Sequence, residues 1–254
     1  MTINDLSVGS KVMFGQAIYD GQRNMVIDLV WRKVAENNTF LTDFFVARKA
    51  ADVPEPDNTS RDRRERGSNF FPQTNIFQWL NADRSGWFSK SHEADVAPDY
   101  VNEPGFLSEF AQWEKDAIVP HEIVTIVPEG FRREFGVLCK NTCKVSLPAL
   151  SEVTRIGDDT YNQEGEFLTY FGTHGRPRML LRTAVASTLQ CIDQYGDAAS
   201  RSASQRYFII PKICIKGDMQ ISDQTDSDGN HVVLPPKGSE SCIDVSELYS
   251  VLAQ

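Results

Sequence analysis

The sequence predicts an α+β fold, with antiparallel sheets, two flanking helices and long irregular loops. Three observations indicate this class: strand-like runs open the chain, two later segments place apolar residues at helical spacing, and the second half alternates loops with further strand-like runs. The chain has 254 residues, of which 41% are hydrophobic and 24% charged, and these shares are ordinary for a globular protein. We therefore expect a sizeable core.

The first 48 residues predict an antiparallel meander. In residues 8–18, apolar side chains alternate with polar or small ones, which is typical of a strand. Residues 26–34 predict a second strand, and residues 39–48, rich in β-branched and aromatic side chains, predict a third. The Asn37-Asn38 pair predicts a tight turn between these two, because Asn tolerates positive φ.

A first helix is predicted over residues 74–82. Ile76, Trp79 and Leu80 are spaced so that they share one helical face. Thr74 or Asn75 can cap its start by accepting a hydrogen bond from a backbone N–H.

A second, longer helix is predicted from Pro104 to just before Pro120. Proline suits a first helical turn, since its missing N–H would have no partner there. A core-facing stripe is formed by Phe106, Phe110, Trp113 and Ala117, at spacings of four, three and four.

The second half predicts more strands, separated by loops. The strand-like runs are residues 122–127, 135–139, 144–153 (passing into a short helix near Pro148), 178–184 and 206–215. Pro211 limits the hydrogen bonds of the last run, so this strand is predicted to lie at an edge or a bulge. Residues 52–68 and 157–178 lack periodicity and predict loops.

The C-terminal segment predicts a hairpin and a short helix. Asp228-Gly229 lies between two apolar runs, which predicts a hairpin turn. The last predicted helix has an apolar face formed by Val245, Leu248, Tyr249 and Leu252.

The charge balance argues against a general nucleic-acid-binding protein. The net charge is −9, whereas phosphate binding needs a basic face. Arg61, Arg63, Arg64 and Arg66 form a possible local basic patch, but Asp62 and Glu65 interrupt it. A solvated loop is favoured, and the nucleic-acid interpretation stays open as an alternative.

The sequence shows no targeting signal and no cysteine pattern that would indicate a function. Apolar runs such as residues 208–210 are far shorter than the roughly 20 residues that span a bilayer. The first residues lack the basic and apolar regions of a signal peptide, so synthesis in a cytoplasm is expected. The five cysteines are odd in number and irregularly spaced, which disfavours a disulfide framework, and no second close pair accompanies Cys139 and Cys143 to complete a zinc site.

The known catalytic motifs are missing from the sequence, so a non-catalytic protein without cofactor is expected. It contains no Gly-rich phosphate loop, no H-E-x-x-H and no G-x-S-x-G. A thiol pair of Cys139 and His121 is conceivable, but core roles are favoured for both. The acidic run from Asp223 to Asp228 does not match a calcium loop of the EF type, because the aligned first and last positions are Gln224 and Pro235. A looser cation site there remains an alternative to a hairpin turn.

Arg182 lies inside an apolar strand, between Leu181 and Thr183. A buried guanidinium needs partners for its donors. Tying a loop to the strand end is the favoured role, and binding a ligand carboxylate is the alternative.

An ordered set of motifs resembles an uncharacterised bacterial and phage domain family. The family pattern comprises G-x-x-V-x-F-G, I-x-W-R-V, R-x-W-L-N, F-L-L-S-x-x-E-V, W-L-R-S-P and V-R-P-A-L. Its counterparts here, in the same order, are residues 9–15, 29–34, 76–81, 145–153, 180–184 and 209–215. This chain departs from the pattern with L-L-R-T-A in place of W-L-R-S-P and with Ile210 in place of the closing Arg.

The family resembles the C-type-lectin-like fold, in which the first and last strands pair and long loops display a binding face. The resemblance implies a lectin-like domain over residues 1–216 and a C-terminal extension over 217–254 that could serve as an assembly arm. On this interpretation the predicted ligand-binding residues are Arg182 and, within the stretch that a display surface would expose, Tyr195, Asp197 and Arg201.

The expected function is therefore a binding or structural module of a phage particle: a tail, fibre or decoration protein that mediates assembly or host-surface attachment. Expected partners are other virion proteins, further copies of the chain in a homo-oligomer, or a host surface glycan or protein. The alternatives are a cytoplasmic enzyme with an unfamiliar site and a nucleic-acid-binding accessory protein.

Overall fold

The computed structural model describes residues 1–18, 25–42, 46–49, 70–90, 95–127, 137–150, 152, 179–185, 188–192, 198–201 and 205–237. Over these residues the chain is a mixed α+β protein built mainly of sheets, with two short α-helices. The predicted α+β class is confirmed. Several predictions fall outside the described residues. They are the loop over 52–68 with its arginines, the loop over 157–178, the helix over 241–252, and the candidate ligand-binding residues Tyr195 and Asp197.

Thirteen strands, two α-helices and two 3₁₀ helices (Ile3–Asp5 and Phe71–Gln73) are present in the described part of the chain. The strands are β1 (Lys11–Ile18), β2 (Val26–Ala35), β3 (Thr39–Thr42), β4 (Val46–Lys49), β5 (His121–Val127), β6 (Val137–Cys143), β7 (Val145–Ser146), β8 (Met179–Val185), β9 (Thr188–Ile192), β10 (Ala198–Arg201), β11 (Arg206–Ile209), β12 (Lys212–Cys214) and β13 (Asn230–Val232). The helices are α1 (Asn75–Leu80) and α2 (Gln112–Ala117).

The large sheet has the order β13-β1-β2-β3-β12-β7. The predicted meander forms its centre, since β1, β2 and β3 pair antiparallel in sequence order. The predicted turn at Asn37-Asn38 is confirmed, and Asn38 adopts a φ of 58°. On the inner side, Trp31 Nε1 donates to the carbonyl of Phe14 at 2.6 Å, so the buried indole has its polar partner.

The C-terminal hairpin adds to the same sheet. Strand β13 pairs parallel with β1, and Ile221 forms an antiparallel bridge with Val233. Gly229 has a φ of 79°, which fits the predicted hairpin turn at Asp228-Gly229. Met219, Ile221 and Val233 are buried in the main hydrophobic core, so residues 219–233 pack with the rest of the chain.

The small sheet has the order β10-β9-β8-β11-β4. Strands β9 and β10 were not predicted, although Leu189 and Cys191 on β9 are buried at alternate positions, as expected for a half-buried strand.

Two predicted strands are each divided between the sheets. The run 39–48 forms β3 in the large sheet and β4 in the small one, and the run 206–215 forms β11 in the small sheet and β12 in the large one. The second division falls at Ile210-Pro211, because proline has no N–H to continue the ladder. The carbonyl of Pro211 still accepts from Thr42 N at 3.2 Å, so the two crossing segments stay adjacent.

The first predicted helix is confirmed as α1. Thr74 is its N-cap, and Thr74 Oγ1 accepts from Phe77 N at 3.2 Å. The predicted face is buried, with Ile76, Trp79 and Leu80 in the core.

The second predicted helix is much shorter than expected. Its stripe does face the core, but residues 104–110 form turns rather than a helix. The N–H groups of Phe106 and Leu107 donate to the carbonyls of Trp79 and Ala82, and those of Ser108 and Phe110 donate only three residues back, to Gly105 and Leu107, as in turns. Gly105 lies so close to Ala82 that an added Cβ would stand 2.3 Å from the Ala82 carbonyl oxygen. Tertiary contacts with the end of α1 therefore replace the first turns of the predicted helix.

Strands β5 and β6 pair only with each other among the described strands, in a two-stranded antiparallel ribbon. Ile123 and Thr125 on its inner side are buried. Val124 and Leu138 on its outer side are 44% and 67% exposed. The ribbon leads directly into β7, so it joins the edge of the large sheet.

Candidate functional site

Four ionisable side chains gather where the two sheets and the ribbon meet. They are His121 at the start of β5, Glu152 after β7, Arg182 on β8 and Lys212 on β12, and we call them the junction cluster. Arg182 and Lys212 are 6% and 9% exposed, and Glu152 is 31% exposed. Charged groups at such depth are rare unless they are paired, so this cluster is the most unusual chemical feature of the described chain.

Glu152 binds both cations of the junction cluster. Its Oε2 accepts from Arg182 Nη1 at 2.6 Å and its Oε1 accepts from Nη2 at 2.7 Å, so this pair is bidentate. Lys212 Nζ donates to the same Oε1 at 2.9 Å. Because Arg182 belongs to the small sheet and Lys212 to the large one, a single carboxylate joins the two sheets.

Backbone contacts fix Arg182 and Glu152 in position. Arg182 N donates to the Pro148 carbonyl at 3.0 Å, and Arg182 Nη1 donates to the Leu147 carbonyl at 2.6 Å. Ala149 N donates to Glu152 Oε2 at 2.8 Å, which closes a tight turn after β7. The favoured sequence interpretation of Arg182, a tie between a strand and a loop, matches these contacts.

The pKa values in the cluster are displaced in the directions that burial and charge predict. Burial alone would raise the pKa of Glu152, but the hydrogen bonds from Arg182 and the charge of Lys212 outweigh it and hold this pKa at about 2. Burial lowers the pKa of Lys212 from its ordinary value, and the Glu152 carboxylate offsets part of that effect. The carboxylate is therefore ionised across the physiological range.

His121 lies beside the ion pairs as a neutral ring. Its Nε2 is 3.0 Å from Ser146 Oγ, on the edge strand of the large sheet. Burial, followed by the positive charge of Lys212, lowers the pKa of His121 to about 4. A proton on this ring would add a third positive charge to the cluster.

One buried thiol, that of Cys143, lies near the cluster. Cys143 is the cross-strand neighbour of His121, and burial raises its pKa to about 11. Cys139, the residue considered from sequence as a partner of His121, lies opposite Thr125 instead. The structure therefore does not bring Cys139 and His121 together in register, and Cys143 is protonated at neutral pH.

Arg182 is the only one of the predicted ligand-binding residues that the described structure places in this site. Arg201 has its backbone at the end of β10, and Tyr195 and Asp197 lie outside the described residues. Sequence reasoning missed His121, Glu152 and Lys212 as members of the cluster. Lys212 did carry a signal, since it is the lone charge in the apolar run from Tyr207 to Ile215.

The acidic run from Asp223 to Asp228 serves the hairpin turn. Asp226 Oδ1 accepts from the N–H groups of Asp228 and Asn230, and Asp226 Oδ2 accepts from Asn230 Nδ2. Asp223 pairs with the ammonium group of Met1 at 3.2 Å. Across the described residues, no three His, Cys, Asp or Glu side chains are grouped so that they could hold a metal ion.

Comparison with protein-family models, curated proteins and solved structures gave no match to this chain. Within the described segments, neither helix has the length and apolar character needed to cross a membrane.

Proposed function

We propose that this chain is a non-catalytic binding and structural module of a phage particle. In this proposal it is a tail, fibre or decoration protein with a C-type-lectin-like fold, and it mediates assembly or host-surface attachment. The observation that supports it best is the pair of exposed apolar side chains, Val124 and Leu138, on the outer side of the ribbon formed by β5 and β6, beside the exposed ion pair of Glu122 and Lys140.

The outer side of the ribbon has the properties of a subunit contact. Leu138 pairs with Ile126 and Lys140 pairs with Val124, so Val124 and Leu138 are diagonal neighbours on one surface. Large apolar side chains that stand together in solvent commonly mark a protein–protein contact. The proposed neighbour is a second copy of the chain, because particle proteins are usually symmetric oligomers.

The charged junction supports a structural role rather than catalysis. The carboxylate of Glu152 already binds both neighbouring cations, and Arg182 and Lys212 hold two sheets together through it. A carboxylate bound in this way is suited to holding the two sheets in a fixed arrangement, and the loops extend from these sheets.

The lectin-like part of the proposal is supported by the early and late strands. Strand β13, the last described strand, lies beside β1, and β12 lies beside β3. The resemblance of the sequence motifs supplies the rest of this assignment, including the prediction that Arg201, Tyr195 and Asp197 contribute to a display surface.

Two measurements test the proposal. Mass spectrometry of purified particles from the source phage should detect the chain, and its absence from clean virions would contradict the virion role. Light scattering after gel filtration should show an oligomer that Leu138→Lys dissociates. The matched control is Val8→Lys, because Val8 is also a 43% exposed apolar residue but lies outside the ribbon. An unchanged oligomer in Leu138→Lys would exclude the ribbon as the contact.

A second candidate function, an enzyme with an unfamiliar site, is favoured by one observation. Displaced pKa values gather at active sites, and the junction cluster contains three such groups: His121, Glu152 and Lys212. A catalytic lysine should react with trinitrobenzenesulfonate faster than the exposed Lys140. A slower reaction of Lys212 would contradict this candidate.

A further inference from the structure

The junction cluster contains more positive than negative charge. Arg182 and Lys212 share the carboxylate of Glu152, and no other acidic side chain of the described residues contacts either cation. With His121 neutral, the cluster has one excess positive charge in a buried place. An uncompensated charge at this depth is costly, so it should attract an anion.

The neighbouring thiol of Cys143 does not supply that anion, because its high pKa keeps it protonated at neutral pH. His121 and Ser146 are also uncharged near pH 7, so the groups that surround the cluster leave the excess charge in place.

The other two buried cations of the described chain, Lys33 and Arg48, have different hydrogen-bond and charge partners. Lys33 Nζ donates to two main-chain carbonyls, those of Leu6 at 2.7 Å and Ile3 at 3.3 Å. Arg48 has its own carboxylate, Glu103, at 2.6 Å and lies over the rings of Trp79 and Tyr100. Lys212 has neither a carboxylate of its own nor a second acceptor among the described contacts.

Donors remain open beside the shared carboxylate. Arg182 Nε is buried and has no hydrogen-bond partner in the described structure, and Lys212 Nζ makes one of the three bonds it can donate. Lys212 Nζ and Arg182 Nη2 are at most about 5.6 Å apart, because both bind Glu152 Oε1, at 2.9 and 2.7 Å. Nε belongs to the same guanidinium as Nη2, so its open donor and the ammonium of Lys212 lie on neighbouring side chains.

We propose that the junction cluster binds a small singly charged anion, best matched by a carboxylate group, through Lys212 Nζ and Arg182 Nε. Planar carboxylates fit guanidinium donors in a way that a spherical halide does not. The proposal is independent of the virion role, since a carboxylate could come from a free ligand or from a partner's side chain.

The test uses the full chain at pH 7 and measures its melting temperature against sodium acetate, with sodium chloride at equal ionic strength as the second arm. We expect a rise of roughly 5–10 °C above the chloride arm at a hundred-fold excess of acetate over its dissociation constant, and this rise should grow with the logarithm of the acetate concentration. Lys212→Met should abolish this rise, and the matched variant Lys140→Met should keep it, because Lys140 is exposed on the ribbon.

Each alternative outcome overturns the proposal. Equal melting temperatures of the wild-type protein in acetate and in chloride would mean that Lys212 loses its proton or that water satisfies the open donors. A larger rise in chloride than in acetate would exclude the carboxylate assignment. An equal acetate response in Lys212→Met would place binding elsewhere.

A second readout needs only wild-type protein and a signal assignment from His121→Gln. A bound anion should raise the pKa of His121, which faces Lys212, Arg182 and Glu152. The proton resonances of this ring should therefore titrate at higher pH in trifluoroacetate, a carboxylate that stays ionised near pH 4, than in chloride. Identical titrations would also contradict anion binding, whether or not Lys212→Met folds.

Discussion

Replacement of Glu152 by Gln is the most informative perturbation of this structure. Gln has nearly the same shape and can still accept the hydrogen bond from Ala149 N, but it lacks the charge that Arg182 and Lys212 share. The variant therefore buries two cations less than about 6 Å apart without a described counter-ion. Both electrostatic repulsion and unfavourable desolvation then act on the folded state.

The expected loss in the free energy of unfolding follows from the burial of Glu152, Arg182 and Lys212. Removing one member of a buried ion pair costs about 3–5 kcal/mol, because the remaining charge is uncompensated. The carboxylate of Glu152 is 31% exposed, so we expect the lower end, about 3 kcal/mol. For a chain of this length, that loss lowers the melting temperature by roughly 6–12 °C.

The assay is urea unfolding followed by tryptophan fluorescence, with a thermal scan as a second measurement. The matched control is Glu122→Gln, which removes an exposed pair with Lys140 at 2.9 Å and should cost less than about 0.5 kcal/mol. Adding Lys212→Met to Glu152→Gln should recover part of the lost stability, because it removes one of the two repelling charges. The reasoning is refuted if Glu152→Gln is as stable as Glu122→Gln.

Three further predictions concern other parts of the molecule. His121 has a folded pKa of about 4, below the ordinary 6.5, so the unfolded chain takes up a proton first and stability is lost as the pH falls from 6.5 towards 4. Between pH 7 and pH 4.5, His121→Gln should lose about 2 kcal/mol less than wild type by urea unfolding, and parallel losses in both proteins would contradict the assignment. Gly105→Ala should destabilise the protein by about 1–3 kcal/mol, because its Cβ would meet the Ala82 carbonyl oxygen; an unchanged or raised melting temperature would show that the loop can move aside. Thr74→Ala should cost about 0.5–2 kcal/mol through the lost N-cap of α1, measured by chemical denaturation, and a neutral effect would mean that the cap contributes no stability.

Local sequence patterns were sufficient to predict the strands, turn and helix whose formation depends on residues close together in the sequence. The strands β1, β2 and β3, the Asn37-Asn38 turn and the helix α1 were all predictable from alternation, turn residues and a capping threonine. Each of these signals acts within a few residues, so no knowledge of the tertiary structure is needed.

Sheet membership was not predictable from the same patterns. Ile209, Ile210 and Ile213 are all fully buried, although β11 and β12 belong to different sheets. The sequence of a buried strand is equally apolar in either sheet, so it does not indicate which sheet the strand joins. In the same way, the stripe of Phe106 and Phe110 predicted burial but not a helix, because the decisive acceptors were the distant carbonyls of Trp79 and Ala82.

The junction cluster shows why a site is harder to predict than its members. Arg182 could be selected as a charge inside an apolar strand, and Lys212 satisfies the same criterion. Glu152 lies 30 residues from Arg182 and 60 from Lys212, so only the pairing of β7 with β12, together with the contacts of Arg182 on β8 with residues 147–148, brings the three together. His121 joins them through the ribbon, whose position the sequence pattern does not specify.

The two crossing segments have a consequence for the mechanical behaviour of the domain. Both β3–β4 and β11–β12 pass from one sheet to the other, in antiparallel register with each other at both ends. A force that separates the sheets therefore pulls on both crossing segments at once, rather than opening one hinge. Both crossings should share an applied force, so the two sheets should separate in a single step.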